Sequence, residues 1–106
     1  MDQVRNWPFT LTDLEDHVLA ACDDMYLNAS IARDVCGQWH GRDINYRELR
    51  AVYKKLIELG LLRPYVMSNG RIRASHLRGN RTSRLIFRGT KKGRDYIASG
   101  VRYVIG

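Results

Sequence analysis

The chain has 106 residues, 44% of them hydrophobic, which fits one globular domain whose core needs no disulfide or metal. No apolar run approaches the roughly 20 residues that a membrane helix needs, and the N-terminus lacks a secretory pattern, so we expect a cytoplasmic protein. The formal net charge is +7 and is unevenly distributed, since residues 1–40 hold seven acidic and two basic side chains whereas residues 41–106 hold four acidic and sixteen basic ones.

The first two predicted helices lie in the acidic part of the chain. Thr12 and Glu15 have the spacing of a capping box, and apolar residues at intervals of three and four continue a helix to about Leu27. Asn28 and Ser30 each offer a cap for a short second helix, which stops near Gly37. We therefore expect two short helices before residue 40.

The third predicted helix has the clearest pattern. Residues 39–43 form a linker, and Asn45 opens a second capping-box pattern. The helix then spans residues 45–59 with apolar residues at spacings of three and four. Gly60 suits the left-handed conformation that ends many helices, and Pro64 forbids further helix.

Short strands are predicted after the third helix. Asn69-Gly70 is a strong hairpin-turn dipeptide, and residues 71–77 alternate loosely as a strand does. Gly79-Asn80 is a second turn signal, which we interpret as the tip of the hairpin. Residues 85–87 form another short strand, so two or three strands are expected between residues 63 and 88.

The chain order predicts an α+β winged helix in a single domain of residues 1–106. Thr90 caps a last helix that ends near Ala98, residues 1–10 form an N-terminal arm and residues 100–106 a C-terminal tail. A three-helix bundle followed by a basic β-hairpin, or a three-stranded wing, and a C-terminal helix is the layout of a winged helix.

The cysteine and histidine residues do not have the spacing of a metal site. Cys36 and His40 are four residues apart, and His17 and Cys22 are five apart, which matches no recognised ligand pattern. Free cysteine is among the most buried residue types. We therefore expect two reduced core thiols and neither a metal nor another cofactor. No catalytic constellation stands out, so we do not expect an enzyme.

The basic part of the chain favours a polyanion as partner. No acidic residue occurs between Arg63 and Arg94, and arginine dominates there. The basic residues do not lie on one amphipathic helix, so a membrane surface fits less well. Double-stranded DNA is the expected partner, and the protein would then be nucleoid-associated.

Two segments resemble winged helix-turn-helix transcriptional regulators of the MarR-like and PadR-like kinds. Residues 47–62, RELRAVYKKLIELGLL, are similar to their recognition helix and the first residues of their wing. Residues 85–97, LIFRGTKKGRDYI, resemble their second wing strand and final helix. The resemblance implies sequence-specific DNA binding, with the third helix in the major groove and the wing on the backbone or in a minor groove.

The candidate DNA-binding residues lie in two groups. On the third helix, Arg47 and Arg50 are candidates for guanine contacts, and Lys54 and Lys55 for phosphate contacts. Tyr46 is a further candidate, which lies on the same exposed face as Arg47, Arg50 and Lys54. The wing supplies arginines, whose planar fork suits phosphate and narrow minor grooves. They are Arg71, Arg73, Arg78, Arg81 and Arg84.

Other interpretations stay open at this point. The chain is alternatively a protein-interaction module that docks through its acidic first half or its apolar tail, or a protein that binds DNA or RNA without sequence preference. The interpretation as a DNA-binding regulator also leaves open a homodimer, for which the candidate surfaces are the first helix with the N-terminal arm and residues 101–105.

Overall fold

The computed structural model describes residues 7–99, which form four α-helices and four short strands. They are α1 (Asp13–Ala21), β1 (Leu27–Asn28), α2 (Ala29–His40), α3 (Tyr46–Glu58), β2 (Leu62–Ser68), β3 (Arg71–Ala74), β4 (Ile86–Gly89) and α4 (Lys91–Ala98). A 3₁₀ turn, Thr82–Arg84, precedes β4. The described residues therefore form a small α+β fold, as the sequence predicts.

The helices begin at the predicted capping residues. Thr12 and Glu15 form a reciprocal box, in which the Thr12 hydroxyl accepts from the Glu15 amide at 3.2 Å and the Glu15 carboxylate accepts from the Thr12 amide at 2.8 Å. Asn28 caps α2 and Thr90 caps α4. Asn45 caps α3, accepting from the Glu48 amide at 2.8 Å. This bond is the first half of the capping box predicted at Asn45. The Glu48 side chain, which would accept from the Asn45 amide in the second half, pairs with Arg42 instead.

Two predicted helix ends are wrong. The first helix ends at Ala21 rather than near Leu27, because Leu27 belongs to β1 and pairs with Phe87. The second helix continues past Gly37 to His40, so it includes part of the predicted linker. A Cβ at position 37 would lie only 3.0 Å from the carbonyl oxygen of Arg42. Gly37 therefore permits the backbone of Arg42 to lie close to α2, and it does not end the helix.

A four-stranded antiparallel sheet, in the order β1-β4-β2-β3, lies beside the helices. Asn69 and Gly70 have φ values of 52° and 75°, which confirms the predicted hairpin turn between β2 and β3. β3 ends at Ala74, earlier than predicted. The tip of the hairpin is therefore Asn69-Gly70, and our assignment of Gly79-Asn80 as the tip is wrong. Gly79 and Asn80 lie in the connection from β3 to β4.

The core lies between the helices and one face of the sheet. Tyr53 of α3 stacks on Phe87 of β4 with ring centroids 3.7 Å apart. Cys22 and Cys36 are fully buried free thiols, as predicted. Trp7 packs against Tyr96 of α4, so the last residues of the N-terminal arm lie on the core.

Predictions about residues 1–6 and 100–106, including the C-terminal tail as a dimer surface, fall outside the described residues. Across residues 7–99, each helix is too short or too polar to span a bilayer.

Candidate functional site

A broad groove of about 950 Å³ separates α3 from the β2–β3 hairpin and the segment that follows it. We call it the α3 groove. Five of its lining residues are cationic, and the acidic residue among them is Glu58. The lining residues are Arg47, Arg50, Ala51, Lys54, Ile57 and Glu58 of α3, Arg63 and Pro64 of β2, Ala74 of β3, and Ser75, His76, Leu77 and Arg78.

The apolar stripe of α3 decides which side chains reach the groove. Leu49, Tyr53 and Leu56 are fully buried, which directs the opposite side of the helix outward. Arg47 and Lys54 lie on that outward side and line the groove as exposed side chains. The structure therefore places both of these candidates where a ligand of the groove would meet them.

Arg50 lines the groove, but its guanidinium contacts the protein itself. Its Nη1 donates to the carbonyl oxygen of Asn80 at 2.8 Å and to the Thr82 hydroxyl at 3.0 Å, and its Nη2 donates to the carbonyl oxygen of Leu77 at 2.7 Å. These bonds use the fork that a guanine contact would require. In this structure the Arg50 guanidinium is therefore engaged within the protein, and its geometry does not support the base contact predicted from its position on the helix.

Lys55 points away from the groove, toward α1. Its ammonium donates to the Glu15 carboxylate at 2.9 Å and to the carbonyl oxygen of Thr10 at 3.3 Å. Lys54 and Lys55 are adjacent in sequence but lie on different sides of the helix. The predicted phosphate contact of Lys55 is therefore not supported by its position.

Tyr46 is half-buried at the start of α3. The guanidinium of Arg33, from α2, lies 4.5 Å from the centre of its ring. Tyr46 packs against the core and is not among the residues that line the groove. It therefore joins α2 to α3, and Arg33 lies beside it as a cation that our candidate set did not include.

The candidate arginines predicted to lie in a wing are all exposed. The pairs Val66–Arg73 and Ser68–Arg71 join β2 to β3. Since side chains alternate along a strand, Arg71 and Arg73 lie on the face of the sheet that also carries Phe87 and the helices. Residues 75–85, which connect β3 to β4 and which we call the arginine loop, carry the other three. These are Arg78, which lines the groove, and Arg81 and Arg84.

The ion pairs within residues 7–99 do not neutralise the cationic residues of the groove. Those pairs are Arg42–Glu48, Lys55–Glu15, Arg88–Asp24 and Lys91–Asp95, and their cations do not line the groove. The Arg42 hydrogen bond holds the pKa of Glu48 below its usual range, so Glu48 is a carboxylate compensated by Arg42. The net field in the groove is therefore positive.

Arg63 is a lining residue that the sequence analysis did not single out. It lies on β2 between the buried Leu62 and Pro64, so alternation directs it away from the core. That alternation was visible in the sequence, but only the structure shows that Arg63 and Lys54 share one groove.

The buried cysteines do not offer a nucleophile at neutral pH. Burial raises the pKa of Cys36 to about 11 and also raises that of Cys22. Among residues 7–99, histidine, cysteine and acidic side chains do not come together in a group of three or more that could hold a metal ion.

The two segments that resemble winged-helix regulators occupy defined places in the fold. Residues 47–62 comprise nearly all of α3 and the start of β2, and residues 85–97 comprise β4 and most of α4. The two segments are joined by the hydrogen bond from the Thr90 hydroxyl to the carbonyl oxygen of Gly60, at 2.6 Å. Comparison of the chain with protein-family models, curated proteins and solved structures gives no significant match.

Proposed function

We propose that this protein is a winged-helix regulator that binds double-stranded DNA, with α3 in the major groove and the β2–β3 hairpin and arginine loop on the backbone. The order of three helices and a basic hairpin supports the winged-helix assignment. The observation that carries the proposal is the α3 groove, a concave surface lined by cationic residues of α3, of β2 and of the arginine loop. Such a surface complements phosphate groups on both sides of a DNA groove.

The two sides of the surface suit different contacts. Arg47 lies in the first turn of α3 and is exposed, and the N-terminal part of a recognition helix is the part that reaches base edges. An arginine there can donate two hydrogen bonds to guanine. Lys54, two turns later, and the hairpin arginines suit phosphate, since point charges and planar forks both bind it.

The neighbouring lysines of α3 provide a matched test of the binding face. Lys54→Met and Lys55→Met each remove one charge from adjacent positions, but only Lys54 lines the groove. We expect Lys54→Met to reduce the slope of log K against log salt by about one for a short duplex, and Lys55→Met to leave it nearly unchanged. Fluorescence anisotropy titrations over a range of salt concentrations measure both slopes.

The outcomes of this test separate the proposal from its alternatives. Absence of binding to any duplex at low salt rejects the proposal. Equal loss in both lysine variants rejects the assignment of the binding face. Tighter binding to single-stranded RNA than to duplex DNA would support the alternative of an RNA-binding protein.

Arg47 is the proposed reader of sequence. Selection of bound duplexes from a random pool should give an enriched motif with the wild-type chain, and Arg47→Ala should relax the preference at one base pair by about 1–3 kcal/mol. A twofold-symmetric motif would support a homodimer. A random set of bound duplexes from the wild type would contradict sequence-specific recognition while leaving DNA binding itself intact.

A further inference from the structure

The hydrogen bonds of Arg50 join two elements that carry separate parts of the positive surface. Arg50 lies in the second turn of α3, and its acceptors lie in the arginine loop, 27 to 32 residues later in the chain. Two of the acceptors are backbone carbonyl oxygens, so the contact constrains the path of the loop. The guanidinium is the side chain that suits this task, because one planar group directs several donors at once.

The arginine loop is compact around this contact. The Asn80 side chain donates to the carbonyl oxygen of His76 at 2.8 Å, and the Asn80 amide donates to that of Leu77 at 3.2 Å. Thr82 is 7% exposed, so its side chain packs inside while its hydroxyl accepts from Arg50. The three arginines of the loop stay exposed. The backbone carbonyl groups of the loop therefore accept hydrogen bonds from Arg50 and Asn80, while its arginine side chains are exposed.

We propose that Arg50 is a positioning residue, which fixes the arginine loop beside α3 so that Arg78, Arg81 and Arg84 meet the phosphates of one nucleic-acid strand as a preformed set. This inference rests on the proposed function and assigns a specific part of the binding surface. A loop that is ordered before binding loses less conformational entropy on binding, so its arginines contribute more to affinity.

Arg50→Lys is the variant that distinguishes positioning from direct contact. Lysine keeps the charge but cannot direct donors to three acceptors in one plane. We expect about tenfold weaker binding to a short duplex of mixed sequence, with faster amide hydrogen exchange confined to residues 76–84. Arg88→Lys, the same change at an arginine that pairs with Asp24 and does not line the groove, is the control, and we expect less than about a twofold effect on binding.

A double-mutant cycle tests whether Arg50 acts through the loop. The triple variant Arg78→Ala/Arg81→Ala/Arg84→Ala should lower affinity in both backgrounds, by a factor about tenfold smaller in the Arg50→Lys background than in the wild type. A residue that contacts DNA independently would give the same factor in both backgrounds. Equal factors, or unchanged exchange of residues 76–84 in Arg50→Lys, would overturn the inference.

Thr82→Val examines the same contact from the acceptor side. It removes one of the three bonds while keeping the shape and charge of the protein, and we expect about threefold weaker binding together with faster exchange in the loop. It replaces Arg50→Lys if that variant fails to fold in a thermal melt. A wild-type protein that binds no duplex rejects the proposed function and the inference together, whereas DNA binding with additive effects rejects the inference alone.

Discussion

Gly93 lies where α4 packs closely against the backbone that follows α3. A Cβ at this position would overlap the carbonyl oxygen of Leu61 and lie 3.0 Å from its carbonyl carbon. Alanine is otherwise the better helix former by about 1 kcal/mol. We nevertheless expect Gly93→Ala to lower the free energy of unfolding by about 1–3 kcal/mol, because backbone must move to admit the methyl group.

Urea unfolding of Gly93→Ala and of Lys91→Ala measures this effect. Lys91 lies in the same helix with an exposed side chain, so its substitution should change stability by less than about 0.5 kcal/mol. Equal stability of Gly93→Ala and the wild type would contradict the close approach of α4 to Leu61.

The two buried thiols predict how stability depends on pH above neutrality. Burial raises the pKa of Cys36 from 9.0 to about 11, and raises that of Cys22 as well. In the unfolded chain both thiols ionise at their ordinary pKa, so the unfolded state releases protons first as pH rises. The thiols therefore leave stability unchanged below the unfolded pKa, and the free energy of unfolding should fall above about pH 9, by about 1 kcal/mol per pH unit for each thiol.

Denaturant unfolding under reducing conditions, from about pH 8 to pH 10, tests this dependence. The double variant Cys22→Ala/Cys36→Ala should be less stable at neutral pH because it leaves cavities, but its stability should decline less with pH. Parallel profiles for the variant and the wild type would show that the thiols are not the cause.

At the scale of elements, α3 contacts β4 through an aromatic stack in which the hydroxyl of the tyrosine makes no hydrogen bond within residues 7–99. The rings of Tyr53 and Phe87 are 3.7 Å apart and inclined by 12°. The Tyr53 hydroxyl is buried and finds no hydrogen-bond partner within residues 7–99. Since a buried hydroxyl without a partner costs about 1–3 kcal/mol, we expect Tyr53→Phe to raise the free energy of unfolding by about 1 kcal/mol.

Phe87→Ala provides the contrast in the same thermal or chemical unfolding experiment. It removes the partner ring and should cost about 3–5 kcal/mol. A Tyr53→Phe variant that is clearly less stable than the wild type would contradict the unpartnered state of the hydroxyl.

Elements whose signals are local were the ones the sequence could predict. The cap at Asn45, the apolar stripe of α3 and the turn at Asn69-Gly70 each depend on a few neighbouring residues, and each is present. β1 was missed because two residues carry no periodicity, and Leu27 becomes a strand residue only by pairing with Phe87. The hydrogen bonds of Arg50 also depend on residues distant in sequence. Its acceptors lie in the arginine loop, and the helical pattern of α3 does not predict where that loop lies.

At the scale of the whole molecule, charge of one sign is concentrated on α3, the hairpin and the arginine loop. The ion pairs within residues 7–99 leave Arg47, Lys54, Arg71, Arg73 and Arg78 uncompensated. Like charges gathered on one surface repel each other, which destabilises the free protein at low ionic strength. Salt also weakens the surface ion pairs, but exposed pairs contribute little, so screening of the repulsion should dominate.

The proposed DNA binding therefore predicts opposite effects of salt on the free protein and on the protein mixed with duplex DNA. For the free protein, raising salt from low to near-physiological concentration should raise the melting temperature by a few degrees, since about 1 kcal/mol corresponds to about 4–8 °C in a domain of this size. With excess duplex present, the melting temperature should start higher and fall with added salt, because salt displaces DNA from the native state. Arg71→Gln/Arg73→Gln should reduce both dependences. A free protein whose melting temperature falls with salt would contradict the repulsion argument, and an identical dependence with and without duplex would contradict DNA binding by this surface.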